Sequence, residues 1–298
     1  MRVGLIGCGN VGVGAHLPAL AAAEGVAVVA AADPTPERLA IAGSEGGLAA
    51  DRLHPAWRDL LARPDVDAVV IATPQRCRTE IALAAAAAGK HLLLEKPLAL
   101  APAAAQAIVD AAAAAGVTVA TNHNYRFLPV YQAIAAVLED GEIGSPELAV
   151  LNFMGVEDRP GAGAYAPRWR HQAAEAGGGV LMDMLHAVYL ANWFLGADPV
   201  AVSAFVDRRR DDGGDVEDWA LVRLAYPSGQ ALLNMAWGVG PGGVEITATR
   251  GRAVLVNEGF GTHPFVPPRE IVVVGPAGGR TIVPEPPRVF GFAGVVED

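Results

Sequence analysis

Residues 7–12 read Gly-Cys-Gly-Asn-Val-Gly, a G-x-G-x-x-G run lying between a short apolar strand at 2–6 and a helix expected over 15–23. No other feature restricts the fold as strongly. Gly7 permits a tight turn, Gly9 lets backbone approach a pyrophosphate, and Gly12 allows the helix to pack closely on the strand. The helix start, with Asn10 and Val11, then offers backbone N–H groups and a positive dipole end to phosphate. Asp33 lies 21 residues past Gly12, at the end of the second expected strand. A carboxylate there accepts both ribose hydroxyls of an adenosine and repels a 2′-phosphate, so the pattern favours NAD over NADP.

The first 120 or so residues continue to alternate strand and helix signals. Apolar runs at 26–32, 68–72, 90–95 and 117–121 are separated by helical stretches, two of them closed by Gly89 and Gly116. Near-continuous apolar strands between helices imply a parallel sheet covered on both faces, the doubly wound α/β architecture. Ligands of such sheets bind beyond the carboxyl ends of the strands. After Thr121 the pattern becomes α+β. Helices are expected at 131–138 and 181–195, with strands at 147–153, 200–206, 219–226, 230–236, 244–249, 253–256 and 271–274. Pro227-Ser228-Gly229 and Gly278-Gly279 read as turns. The expected organisation is a dinucleotide-binding domain over 1–122 and an α+β domain with an open, mostly antiparallel sheet over 123–298.

Composition narrows the classes of function. A hydrophobic content of 52% in 298 residues supports a large core. The net charge of −10 argues against nucleic acid as a partner. Two cysteines, Cys8 and Cys77, exclude a disulfide scaffold or a multi-cysteine zinc site and suit a reducing cytoplasm. Mean hydropathy is +0.31, but alanine supplies much of it and no uninterrupted apolar span is long enough for a membrane. His123, His171 and His263 show no zinc-ligand spacing. The acidic run from Asp211 to Asp218 lacks calcium-loop spacing and reads as a solvated turn.

Glu95-Lys96-Pro97 ends a parallel strand, where a lysine can stabilise a developing alkoxide. With it stand Gly7–Gly12 followed by His16 and Pro18, Asp33-Pro34, Trp57-Arg58-Asp59-Leu60-Leu61 and Ala72-Thr73-Pro74. Further on come Gly89-Lys90-His91, Asn124-Tyr125-Arg126-Phe127, Trp169-Arg170 and Gly177-Gly178-Gly179. In this order, over nearly the whole chain, the set resembles the Gfo/Idh/MocA oxidoreductases, which include glucose–fructose oxidoreductase and inositol dehydrogenase. The resemblance implies a Rossmann domain and an α+β domain, a cis Lys96–Pro97 bond, and Lys96 beside nicotinamide and substrate. It places Thr73, Pro74, Glu95, Pro97 and Asn122 along the cofactor, with Trp169 and Arg170 closing over it, and it sets Arg126 on the substrate side.

The chain departs from the family pattern at several points. Family members carry Asp-x-Gly-x-His after the triple glycine, and often Asp three residues beyond the His. Here the chain reads Asp183-Met184-Leu185-His186, with Tyr189 at the later position. On a continuous helix, Asp183 and His186 share a face. His186 is the candidate base or acid, with Asp183 orienting it or binding substrate. Arg78 stands where the family has His, and with Arg76 it is a candidate for pyrophosphate or acidic-substrate binding, or else a solvated charge. The last nine residues look like the start of an amphipathic helix, shorter than the family's helical tail, so either a truncated C-terminus or a divergent short member is expected.

These readings converge on an NAD-dependent oxidoreductase acting on a sugar, polyol or cyclitol, homo-oligomeric and cytoplasmic, with catalytic Lys96, Asp183 and His186. Two other readings stay open: NAD-assisted elimination or hydrolysis with no net redox, and a non-catalytic NAD-binding regulator.

Overall fold

The computed structural model describes all residues except 157–167, 212, 239–241, 257–269 and 287. The chain divides into two compact units. One comprises Met1–Asn124, Ala174–Gly177 and Arg288–Asp298, the other Tyr125–Ala173 and Gly178–Pro287.

In the first unit, β1 (Arg2–Ile6), β2 (Ala27–Ala32), β3 (Leu53–His54), β4 (Ala68–Ile71), β5 (His91–Leu94) and β6 (Val119–Thr121) pair in the order β3-β2-β1-β4-β5-β6. Every pairing is parallel. This is the doubly wound dinucleotide-binding order. The connecting helices are α1 (Leu17–Ala22), α2 (Pro36–Gly46), α3 (Trp57–Leu61), α4 (Gln75–Ala87) and α5 (Pro102–Ala115). Proline stands in the first turn of α1, α2 and α5, where no N–H partner is lost. Gly47 and Gly116 close α2 and α5 in the left-handed conformation. The sheet is packed on both faces. Ile6, Val69, Ile71, Leu92 and Leu94 lie in one core cluster, and Val3, Leu5 and Val70 in another with Leu17 and Leu39. Sequence periodicity did not find the two-residue β3.

The second unit carries β7 (Pro146–Val156), β8 (Ala201–Asp207), β9 (Trp219–Ala225), β10 (Gln230–Trp237), β11 (Gly242–Ala248), β12 (Gly251–Val256), β13 (Glu270–Gly275) and β14 (Gly278–Ile282). Their order is β14-β13-β12-β11-β7-β10-β9-β8. Only β7 and β10 run parallel. Its helices are α6 (Pro129–Glu139), α8 (Val180–Asp183) and α9 (His186–Leu195); the short α7 (Ala173–Ala176) belongs to the first unit from Ala174 onward. Alternate residues Ala149, Leu151, Phe153, Leu233, Met235 and Ile246 are buried with Ile134 of α6 and Leu190 of α9. The period of two thus decides which sheet face meets the helices.

Three expectations change here. Gly278-Gly279, read as a turn, opens β14, and the turn falls one step earlier because Gly275 pairs with Gly278. The helix expected over 181–195 is broken: α8 ends at Asp183 and α9 begins at His186. The end of the chain, assigned by sequence to the second domain, belongs to the first unit. There α10 (Phe292–Glu297) buries Phe292 against Ala15 and Ala19 at the start of α1. Among the described residues no helix is long and apolar enough to cross a membrane.

Candidate active site

In the first unit the site residues gather at the carboxyl ends of the strands. Gly7 follows β1 with φ +95, and a Cβ there would lie 2.7 Å from the Ala72 carbonyl oxygen. A Cβ on Gly12 would lie 2.1 Å from the Gly7 carbonyl oxygen. Only glycine allows both approaches, so the strand–turn–helix cradle is kept open for a phosphate. Gly12–His16 forms a π-helical turn leading into α1.

Asp33 directly follows β2. Its carboxylate accepts the Cys8 amide at 2.7 Å and the Thr35 amide at 2.8 Å, which fixes it beside the glycine turn. Arg38 donates from Nε to the Cys8 carbonyl at 2.8 Å. Burial, reinforced by the Asp33 charge, pushes the Cys8 thiol up to about 12, so it stays protonated and is packing.

At the end of β5, Glu95 is the centre of a buried polar knot. Its Oε1 lies 2.8 Å from His16 Nε2 and accepts from Asn122 Nδ2 at 2.6 Å. Its Oε2 accepts the Lys96 amide at 3.1 Å. Burial alone would raise this carboxyl. The His16 contact and the charges of His16, Lys96 and Arg78 outweigh it and hold the group at about 2. The Lys96–Pro97 peptide is cis.

Arg78 overturns both readings offered for it. It is buried, and its guanidinium donates to three main-chain carbonyls: Glu95 at 2.7 Å, Thr73 at 2.5 Å, and Pro97. It is therefore neither a solvated charge nor a substrate arginine, but a clamp across the two turns that follow β4 and β5. Burial lowers it to about 10, opposed by the Glu95 charge, so it remains a cation at neutral pH. Arg76 is paired with Glu175 at 2.7 Å.

The cofactor implied by the glycine turn fits this surface. Thr73 Oγ1 and Asn122 Oδ1 are buried without a protein partner, at two of the strand ends facing the cradle's end of the sheet. Gly7, Gly9, Asn10, Val11, Gly12, Asp33, Thr73 and Asn122 are the residues that would hold the dinucleotide.

The second unit holds the other candidates. Glu217 receives the triple glycine: its Oε1 accepts the Gly179 and Leu181 amides at 2.8 and 3.1 Å. A Cβ on Gly179 would sit 1.9 Å from the Glu217 carbonyl oxygen. Asp218 is also buried, accepting the Arg209 and Arg210 amides, and Asp215 accepts the Ala173 amide. Glu217 and Asp218 are thus anchors, whereas Asp211 and Asp215 are exposed as the expected solvated turn requires.

That anchoring starts α8 and leads to Asp183. Its Oδ2 accepts from Trp237 Nε1 at 3.0 Å, and its Oδ1 lies 3.8 Å from Arg170 Nε. Arg170 also lies over the Trp169 ring at 4.8 Å. His186 Nδ1 is instead 2.5 Å from Tyr189 Oη. The break at 184–185 interrupts the helix on which Asp183 and His186 were expected to share a face, and Tyr189 lies one turn after His186 on α9. Arg126 is exposed and lies over the Trp193 ring at 5.0 Å. Tyr125, Tyr189 and Trp237 were not singled out as candidates from the sequence. The departure at Tyr189 was the available signal.

A doubly wound parallel sheet with a glycine phosphate cradle, joined to a unit built on one large mostly antiparallel sheet, defines a two-domain protein of the dinucleotide-binding class. Residues 1–123 match the family described as oxidoreductase, NAD-binding Rossmann fold, and residues 131–254 match the GFO/IDH/MocA C-terminal domain. The chain belongs to the Gfo/Idh/MocA family. It is 33% identical over 229 residues to the 1,5-anhydro-D-fructose reductase of Ensifer adhaerens, covering 76% of this chain and 66% of that protein. It is 29% identical over 234 residues to the myo-inositol 2-dehydrogenase of Thermotoga maritima, covering 77% and 66%. The matched part thus spans just under two thirds of each relative's length. In fold it is similar to an oxidoreductase from Agrobacterium radiobacter solved with NAD+, L-tartaric acid and magnesium, with TM-score 0.86 and 21% identity, covering 100% of this chain and 86% of that one.

Proposed function

We propose that the protein is an NAD-dependent oxidoreductase that transfers hydride between nicotinamide and a hydroxyl or ketone of a sugar, polyol or cyclitol. The observation that carries this reading is Lys96, held at the end of β5 by the buried Glu95 carboxylate and by the Arg78 clamp on the flanking carbonyls. The cofactor supplies the hydride acceptor. Lys96 stabilises the substrate oxygen as its proton leaves, and His186 takes that proton. In the reverse direction the same groups protonate a ketone. Asp183 and Arg126 bind substrate hydroxyls. Asp33, fixed by two amides, selects NAD over NADP through the ribose hydroxyls.

The substrate class is supported by the relatives, whose names are those of a sugar reductase and an inositol dehydrogenase. We further infer a homo-oligomer, supported by the exposed apolar residues of β8, with Val202 68% and Phe205 58% exposed. The two free thiols fit a cytoplasmic enzyme.

The test begins with a fluorescence titration of the chain with NADH and NADPH, followed by a screen of polyols and sugars. NADH is expected to bind more tightly. Lys96→Ala and His186→Ala are each expected to lower turnover by about 10²–10⁴-fold while NADH binding persists. Turnover unaffected by either substitution would sink the mechanism.

A further inference from the structure

His186 opens α9 and Tyr189 follows it one turn later on the same face. Tyr189 Oη lies 2.5 Å from His186 Nδ1 and also accepts the Tyr125 amide at 3.1 Å. The Tyr125 ring stacks on the imidazole, with centroids 3.8 Å apart and planes 10° apart. The Tyr189 ring meets the same imidazole edge-on at 5.4 Å and 78°. Tyr125 is itself backed by Tyr131 and Phe153, both buried in the core of the second unit. The imidazole is therefore held in plane by one tyrosine and in rotation by the other. Asp183, the nearest carboxylate in sequence, is engaged by Trp237 and Arg170.

We propose that Tyr189 is the positioning residue of His186: its phenol oxygen accepts the Nδ1 proton and so makes Nε2 the atom that exchanges protons with substrate. A phenol oxygen can accept two hydrogen bonds, and the Tyr125 amide supplies one. The second acceptor site is left for the Nδ1 proton, 2.5 Å away from heavy atom to heavy atom. In the opposite arrangement the phenol donates to Nδ1, the neutral ring carries its proton on Nε2, and that atom can no longer take a hydroxyl proton. Only the Nδ1–H tautomer serves the reading of His186 as a base, and the inference rests on that reading. Tyr189 thereby does with a neutral oxygen what a carboxylate does for a catalytic histidine elsewhere: it fixes tautomer and ring orientation.

The experiment has a spectroscopic and a kinetic arm, both on the full chain. Long-range ¹H–¹⁵N correlation on uniformly ¹⁵N-labelled protein at a pH where His186 is neutral reads the tautomer directly, with the His186 signals assigned by their loss in His186→Gln. The wild type is expected to show Nδ1 protonated and Nε2 bare. Tyr189→Phe, which keeps the ring and its edge contact, is expected to shift the population toward Nε2–H. In turnover it is expected to lower kcat by about 10- to 100-fold with KM changed far less. An Nε2–H tautomer in the wild type, or an unchanged tautomer in Tyr189→Phe, overturns the proposal. A wild type that turns over substrate with a Tyr189→Phe variant of equal kcat overturns it too, and leaves the oxidoreductase reading standing. A wild type with no turnover counts against that reading alone, and the tautomer then decides the positioning role by itself.

Discussion

Arg78 places a positive charge inside the first unit, and the neighbouring Glu95 carboxylate offsets it. Removing the guanidinium would leave three main-chain carbonyls and a buried carboxylate without it. Arg78→Met is therefore expected to destabilise the protein by about 3–5 kcal/mol, measured by urea denaturation, and to weaken NADH binding through the loosened Lys96 turn. Glu95 gives a pH signature. Its folded value of about 2 lies below the ordinary carboxylate value, so it adds stability that is present above the unfolded value of about 4.3 and is lost as pH falls toward the folded one. The stability gap between wild type and Glu95→Gln is expected to shrink between about pH 4 and 2. A gap that stayed flat across that window, in denaturant melts at each pH, would show that the charge contributes nothing.

At the scale of elements, the strand–turn–helix of β1 and α1 depends on one atom. A methyl group on Gly12 would meet the Gly7 carbonyl, which is backbone and cannot swing away. Gly12→Ala is expected to push the π-helical turn off the cradle and to cost at least about tenfold in NADH affinity, with the circular dichroism spectrum retained. The far end of the chain supports the same helix. Phe292 of α10 sits edge-on to His16 at 4.8 Å, and His16 in turn contacts Glu95 at 2.8 Å. Phe292→Ala is expected to lower stability by about 3 kcal/mol and to soften that contact, measured as a lower Tm together with weaker NADH binding.

For the whole molecule, the question is what covers β8. Every residue from Ala201 to Val206 is exposed, on both faces of an edge strand. Such a strand is a template for pairing unless something covers it. The double substitution Val202→Lys with Phe205→Ser is expected to shift the sedimentation coefficient to that of a monomer, with folding stability changed by only about 0.5–1 kcal/mol. An unchanged sedimentation profile would place any self-association elsewhere.

The sequence by itself determined the doubly wound unit, because the glycine spacing, Asp33 and the β-branched runs are local signals that act within one strand–turn–helix. It also determined that a mostly antiparallel sheet follows, since short strand-like runs separated by turn signals such as Pro227-Ser228-Gly229 mark its strands. The ends of helices were less legible: the break at 184–185 carries no Gly or Pro, and it follows from Glu217 anchoring Gly179 and from Trp237 holding Asp183, both across long sequence separations. Tertiary structure alone decided the roles of the charged and hydroxyl side chains. Whether Arg78 faces solvent or clamps three carbonyls, and whether His186 is met by Asp183 or Tyr189, depends on which distant backbone and side-chain groups arrive within about 3 Å. A hydrogen bond between residues far apart in the chain leaves no periodicity behind, so residue types alone could identify candidates there but could not pair them.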